Sequence, residues 1–294
     1  MKILSKLLNN CRKPDRQIGM ELGISGGAVG SRINKMERAR IIEKFCLKVE
    51  PPLLGQNMFY IVVNSQDQKE IIKNVKLAGM PFTIVPCVGG ITVIGVIVNE
   101  DMQQKIELLE KLMENVRVMS VFEADNTQIS HNLTRTDLEI LNELIQDPRK
   151  RIEQLSKDTD LSTKTINRGL EKLQNNESIQ FTLVFDPSKI EGFVCYAVVA
   201  ITQEDIPKML KKFEKEFGDN YLMTPFLAKN QIVLFLYSES IFDMDEMTQK
   251  VAKVEGTMTT ELFIPKKIDM PSKWLEKRLE TLTKSEKLHF SQVN

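Results

Sequence analysis

Residue types that hold metals or form disulfides are scarce in this chain. Its 294 residues include two histidines and four cysteines, and the cysteines, Cys11, Cys46, Cys87 and Cys195, contain no CxxC pair. A zinc site needs about four such ligands at close spacing, so we expect no metal and no cofactor. The four thiols are interpreted as reduced and packed in the interior.

Long apolar runs are also missing. No stretch approaches the roughly 18 apolar residues of a membrane span, and the apolar stretch at residues 1–15 is short and broken by charge. We therefore expect a cytoplasmic protein without a secretion signal or a membrane partner. With 42% hydrophobic and 27% charged residues, the chain has the composition of two or more globular domains.

The chain lacks an excess of charge of either sign, because 40 basic residues balance 40 acidic ones. The balance is uneven along the chain: residues 1–48 hold eleven Lys/Arg against four Asp/Glu, whereas residues 49–130 hold six against ten. Residues 131–185 are nearly neutral. Residues 1–48 thus form a basic head, whereas the segment that follows is acidic. A basic head indicates that a polyanionic partner binds there, and a solvated basic surface without a partner is the alternative.

An internal repeat organises the chain. A shift of 137 residues superimposes residues 3–8 on 140–145, 12–13 on 149–150, 25 on 162, 55 on 192 and 59–63 on 196–200. The match runs without a gap, which indicates a duplication with a boundary near residues 125–137.

Each copy opens with three short helical patterns. In the first copy the third pattern, with Val29, Ile33 and Met36 spaced four and three apart, follows a turn at residues 23–25. In the second copy Ser162 is placed to cap the corresponding helix. This is a helix-turn-helix layout.

Strands and helices then alternate as βαββαβ in both copies, which is a ferredoxin-like pattern. The predicted elements of the first copy are at residues 58–64, 69–77, 82–88, 91–98, 102–113 and 117–122. Those of the second are at residues 193–201, 206–217, 222–227, 232–237, 244–254 and 258–264. Hairpin turns are predicted at residues 89–90 and 229–230.

A winged helix-turn-helix followed by a βαββαβ domain resembles the Lrp/AsnC family of leucine-responsive, feast/famine transcription regulators of archaea and bacteria. The segments LGISGGAVGSRINKMERARII and GQNMFYIVV of the first copy carry the resemblance most clearly, and DLSTKTINRGLEKLQNNESI of the second matches more loosely. The fold class is therefore α+β, as two such repeats. The predicted domains are helix-turn-helix units at residues 1–50 and 132–185, ferredoxin-like domains at 56–125 and 192–265, and a helical tail at 266–294.

The resemblance implies binding of double-stranded DNA through the third helix, and helical spacing places polar residues on its exposed side. In the first copy we expect Ser25, Ser31 and Asn34 to reach base edges. Phosphates would contact Arg32, Lys35, Arg38 and Arg40, and Gly27 would let the backbone approach DNA. Alternatively, Gly26, Gly27 and Gly30 are tolerated because tertiary packing holds the helix.

The second copy offers Lys164, Asn167, Arg168 and Lys172 on the equivalent face, together with Glu171. Two interpretations remain open here: a second DNA reader, or a structural relic of the duplication.

The resemblance also implies dimerisation through the ferredoxin-like domains, and often a small effector such as an amino acid. The turns CVGGITV and LAKNQIV carry no carboxylate that would hold one, so the effector site is unknown. Because two unequal copies are fused, one chain can fold as a pseudo-dimer with its sheets face to face, and we expect further self-association as a homo-oligomer.

Enzymatic chemistry has little support in the residues. His131 lies in the linker and His289 in the tail, and no nucleophile or metal motif is present, so we expect no catalytic residues. The sirohaem decarboxylases share the two-part architecture and are one alternative. Such an enzyme would need several guanidinium groups to bind the carboxylates of its substrate. The segments that form the sheet domains, residues 49–130 and 186–264, contain a single arginine, Arg117.

A protein-interaction module that does not bind DNA is a second alternative. The tail places Trp274, Leu275, Arg278, Leu279 and Leu282 at helical spacing. We expect this stripe to pack on its own sheet domain, and a contact between subunits is the other interpretation.

Overall fold

The fold is described from a computed structural model that covers residues 1–65, 67–99, 101–123, 133–228 and 230–291. Side chains are described as far as residue 283. The predicted linker with His131, and the side chain of His289, lie outside the described residues. Among the described residues, no helix is long and apolar enough to cross a membrane.

The first repeat contains the expected three helices, one strand and a βαββαβ domain. The helix-turn-helix consists of α1 (Lys2–Asn9), α2 (Asp15–Leu22), α3 (Gly26–Arg38) and the strand β1 (Ile42–Val49). The sheet domain consists of β2 (Asn57–Asn64), α4 (Gln68–Ala78), β3 (Met80–Pro86), β4 (Ile91–Val98), α5 (Met102–Leu112) and β5 (Arg117–Glu123).

The second repeat has the same order of elements. Its helix-turn-helix consists of α6 (Arg135–Gln146), α7 (Ile152–Thr159), α8 (Thr163–Gln174) and β6 (Ile179–Phe185). Its sheet domain consists of β7 (Val194–Thr202), α9 (Ile206–Phe217), β8 (Tyr221–Ala228), β9 (Gln231–Ser238), α10 (Ile241–Lys253) and β10 (Thr257–Phe263). The tail forms α11 (Lys273–Ser291). The predicted α+β fold of two repeats is confirmed.

Both sheet domains are four-stranded and antiparallel, with the strand orders β3-β4-β2-β5 and β10-β7-β9-β8. The two orders are equivalent, since the first and third strands of each domain lie in the middle. The β3–β4 turn needs φ values of 81° at Gly89 and 84° at Gly90, a region open to glycine at little cost. The turn thus explains the glycine pair that the sequence places there.

The sheets are covered on both faces. On β2, Phe59 and Ile61 pack with the helices of their own domain, while Val62 packs in a cluster with Val199 and Val233 of the second sheet. The rings of Tyr60 and Phe226 meet at 5.0 Å, edge to face. The two sheets therefore pack face to face within one chain, and the run MFYIVV lacks alternation because both of its sides are buried.

The wing strands pair with each other across the repeats. In the antiparallel ladder of β1 and β6, Phe45 lies opposite Leu183 and Cys46 opposite Thr182. The shift of 137 residues exchanges these two neighbouring pairs, so a pseudo-two-fold axis passes between them. Each repeat supplies one strand of a shared wing, and the fused chain has the symmetry of a dimer.

The helix-turn-helix units pack crosswise. The helices of the first unit bury Leu4, Leu7 and Val29 together with Leu183 and Leu222 of the second repeat. The side chain of Asn9 accepts hydrogen bonds from the backbone and the hydroxyl of Thr224. The helices of the second unit pack against the first sheet domain in the same manner.

The tail corrects one expectation. Trp274 is 5% exposed and meets Phe82 of the first sheet edge to face at 5.8 Å, instead of packing on its own sheet. Arg278 donates two hydrogen bonds, of 2.8 and 2.6 Å, to the carbonyl of Leu54. The chain between β10 and α11 reaches the first domain by pairing with β3, where Asp269 bonds with Ile84. The tail thus ties the two repeats together.

Candidate nucleic-acid interface

The turn before α3 positions the third helix of the first repeat. Gly23 ends α2 with a φ of 69°, and the hydroxyl of Ser25 accepts a hydrogen bond from the amide of Ala28 at 3.1 Å. Val29 and Ile33 are 0% and 3% exposed and anchor one side of the helix. The hydroxyl of Ser25 therefore caps the helix.

The three glycines of α3 have different surroundings. A Cβ at Gly26 would lie 3.0 Å from the Cα of Arg16, and one at Gly30 would lie 2.9 Å from Oδ2 of Asp15. A Cβ at Gly27 would meet no atom within 4 Å. Close packing against the backbone of Arg16 thus explains why residue 26 is a glycine, and the glycine at residue 30 leaves room for the carboxylate of Asp15. Among the three, Gly27 alone is free to admit another molecule to the backbone.

A shallow hollow of about 450 Å³ runs along the exposed face of α3. Its lining consists of Asp15, Gly26, Gly27, Gly30, Ser31, Asn34, Lys35 and Arg38. Five of the predicted contact residues therefore share one surface: Gly27, Ser31, Asn34, Lys35 and Arg38. Arg32 and Arg40 are exposed and do not line the hollow. Arg40 lies two residues beyond the end of α3, with a φ of 54°.

The cations of this face have no internal partners in the described part of the chain. No described carboxylate lies within 4.0 Å of Arg32, Lys35 or Arg38, and all three are exposed. Unpaired cations attract a polyanion without first giving up an ion pair, so this arrangement favours contact with phosphates.

The equivalent face of α8 carries fewer free cations. Lys164, Asn167 and Arg168 are exposed there, and the side-chain amide of Asn167 donates to the carbonyl of Thr163 at 2.9 Å. No described carboxylate pairs with Lys164 or Arg168. Each helix also exposes one acid, Glu37 on α3 and Glu171 on α8, so the difference lies in the cations without described partners: three on α3 and two on α8.

Lys172 departs from its predicted role. Its ammonium lies 2.5 Å from Oδ2 of Asp137, whose side chain is 4% exposed at the start of α6. The same oxygen accepts hydrogen bonds from the backbone and hydroxyl of Thr134. In this structure Lys172 holds α8 against α6.

Two residues at this surface were not among the predicted ones. Asp15 lines the hollow, and the guanidinium of Arg149 from the second repeat lies 3.8 Å from its Oδ1. Arg149 also covers the ring of Phe45, with the guanidinium carbon 4.6 Å from the ring centre. In the sequence Asp15 is an ordinary acid in the first turn of a helix, and no local signal links it to a residue 134 positions away.

Comparisons with known proteins match part of this chain. Residues 133–180 match the family described as winged helix-turn-helix DNA-binding. A stretch of 55 residues is 44% identical to the HTH-type transcriptional regulator Ptr1 of Methanocaldococcus jannaschii. That stretch spans 19% of this chain and 37% of the relative's length.

Solved structures with related folds fall into two groups. The sirohaem decarboxylase NirDL is 12% identical, with 97% of this chain and 98% of that chain covered and a TM-score of 0.49. LrpC of B. subtilis is 20% identical, with 45% of this chain and 94% of that chain covered and a TM-score of 0.32. AsnC of E. coli is 20% identical, with 45% and 91% covered and a TM-score of 0.30.

The fold is two helix-turn-helix units on ferredoxin-like domains, and the second unit matches the winged helix-turn-helix DNA-binding family. The predicted resemblance is confirmed: the chain is Lrp/AsnC-like, with the two-part arrangement present twice.

Proposed function

We propose that this protein is a transcription regulator that binds double-stranded DNA mainly through α3. One observation carries the proposal: Ser31, Asn34, Lys35 and Arg38 surround an open hollow on α3, and the cations of this face have no described partner. Cations of this kind bind phosphates, and neighbouring polar side chains bind base edges.

In this proposal α3 and α8 contribute unequally to DNA affinity. α3 belongs to the basic head and carries three cations without described partners, whereas α8 carries two, Lys164 and Arg168, and each helix exposes one acid. The first helix supplies most of the affinity, and α8 is a weaker second contact.

The pseudo-two-fold axis between β1 and β6 gives the two units the relative placement of a dimer within one chain. The inner sheet faces are already occupied by each other, so association between chains, which stays a prediction, would need another surface.

The test is duplex binding measured as a function of salt. Replacing Arg32, Lys35 and Arg38 by Gln should weaken binding to all sequences and lower the slope of log K against log salt. The slope should fall by up to about 0.9 for each phosphate that the variant no longer neutralises. Both results follow because fewer counterions are released from the phosphates on binding.

The matched control replaces Lys69, Lys73 and Lys76 of α4 by Gln. These lysines are exposed, and the charge change is identical on a surface away from the helix-turn-helix units. Equal reductions of affinity in both triple variants, or an unchanged slope in the α3 variant, would contradict the assignment.

A further inference from the structure

We propose that Asp15 is a specificity-determining residue that accepts a hydrogen bond from the exocyclic amino group of a base, in the first place cytosine. The inference rests on the proposed function and adds to it a contact from α2. Asp15 lies among the residues that line the hollow of α3, where it is the acidic member.

The chemistry of a carboxylate narrows its DNA partners. An ionised Asp has acceptors and no donor, so it repels phosphate oxygens, which are anionic acceptors themselves. The donors in the major groove are the amino groups of cytosine and adenine, and carboxylates pair with N4 of cytosine. A carboxylate on a phosphate-binding face therefore lowers nonspecific affinity and contributes discrimination between bases.

The structure leaves one carboxylate oxygen open toward this face. Oδ1 is buried without a hydrogen-bond partner and lies 3.8 Å from the guanidinium of Arg149. Oδ2 faces Gly30, where a Cβ would come within 2.9 Å of it. A side chain at residue 30 would crowd Oδ2, so the glycine leaves this oxygen accessible, and Oδ1 forms the ion pair with Arg149.

This arrangement of Asp15 with Arg149 has no counterpart in the second repeat. Under the shift of 137 residues Asp15 falls on Ile152, which cannot accept a hydrogen bond through its side chain. Arg12, the equivalent of Arg149, donates to the carbonyl of Pro148 at 2.6 Å instead of to a carboxylate. The contact therefore distinguishes the first half of the bound site from the second.

The experiment selects bound sites from random duplex DNA with the full-length wild type and with Asp15→Ala. We expect a preference for cytosine at one position of the stronger half-site to fall by about fivefold or more in the variant. Affinity for random duplex should be equal or higher, because one repelling charge is gone.

Glu37→Ala is the matched control. Glu37 is an exposed acid of α3 outside the lining of the hollow, so its removal changes the net charge equally without touching the contact. Gly30→Ala is the second variant. It keeps the carboxylate but displaces it, and should abolish the same preference while urea unfolding shows a folded protein.

The outcomes are separable. A preference for adenine instead of cytosine that disappears in Asp15→Ala supports the amino-group contact with the other base. Unchanged base preferences in Asp15→Ala, from a wild type with a defined site, overturn this inference and leave the proposed function standing. A wild type that binds no duplex overturns both.

Discussion

Lys172 and Asp137 form an ion pair that joins α8 to the first turn of α6, with 2.5 Å between Nζ and Oδ2. Asp137 is almost completely buried, so its carboxylate depends on Lys172 and Thr134 for compensation. Removing the charged partner of a buried acceptor destabilises the fold more than removing an exposed, unpaired cation does.

The first prediction follows from that pair. Lys172→Ala should lower the free energy of unfolding by about 1 kcal/mol, since 44% of the lysine side chain is exposed and solvent screens part of the interaction. Lys164→Ala, at an exposed position without a described partner, should leave it unchanged within about 0.5 kcal/mol. Urea unfolding measures both. Equal effects would show that the ion pair does not stabilise the unit.

The second prediction separates two adjacent glycines. Gly27→Ala should raise the free energy of unfolding by up to about 1 kcal/mol, because the site is open and alanine favours a helix. Gly26→Ala should lower it, because its Cβ would lie 3.0 Å from the Cα of Arg16. Thermal unfolding of the two variants provides the measurement.

The Gly27 variant also tests the interface. If DNA approaches the backbone at Gly27, duplex affinity should fall in Gly27→Ala although the fold is more stable. An affinity equal to that of the wild type would show that the glycine has no part in binding.

The third prediction concerns the shape of the bound site. Because α3 and α8 differ where they would contact DNA, one chain should protect an asymmetric site, with a strongly specified half for the first repeat and a weaker half for the second. Footprinting with Ser31→Ala/Asn34→Ala and with Lys164→Ala/Arg168→Ala tests this. Each pair should reduce protection in one half. A wild-type footprint from the second pair would mean that α8 does not contact DNA.

The fourth prediction uses the thiols of Cys11, which is buried, and Cys46, which is partly buried. Burial raises the pKa of Cys11 to about 12 and that of Cys46 to about 11, from an ordinary value of 9.0. The unfolded chain ionises first, so the stability from these thiols is complete below about pH 9 and is lost as the pH rises toward 11 to 12. The urea midpoint should fall over that range, and less so in Cys11→Ala. A midpoint that rises with pH would be incompatible with buried neutral thiols.

Local patterns determine much of this protein. The spacing of Val29, Ile33 and Met36 predicts the helix and its buried side, and the run of residues 91–98 predicts β4 with the bounds that the structure has. These signals are local, because the periodicity of a helix or strand and its capping residue are written in neighbouring positions. The 137-residue shift likewise predicts two equivalent units from the sequence by itself.

Only the tertiary structure decides which partner each surface meets. The pairing of β1 with β6, the packing of Trp274 on the first sheet, the ion pair of Lys172 and the approach of Arg149 to Asp15 all join residues far apart in the chain. Periodicity shows that a face is apolar or charged, but it does not show what covers that face. Burial on a partner from the other repeat depends on how two unequal copies fit together, and that fit is set by shape and volume across the whole interface.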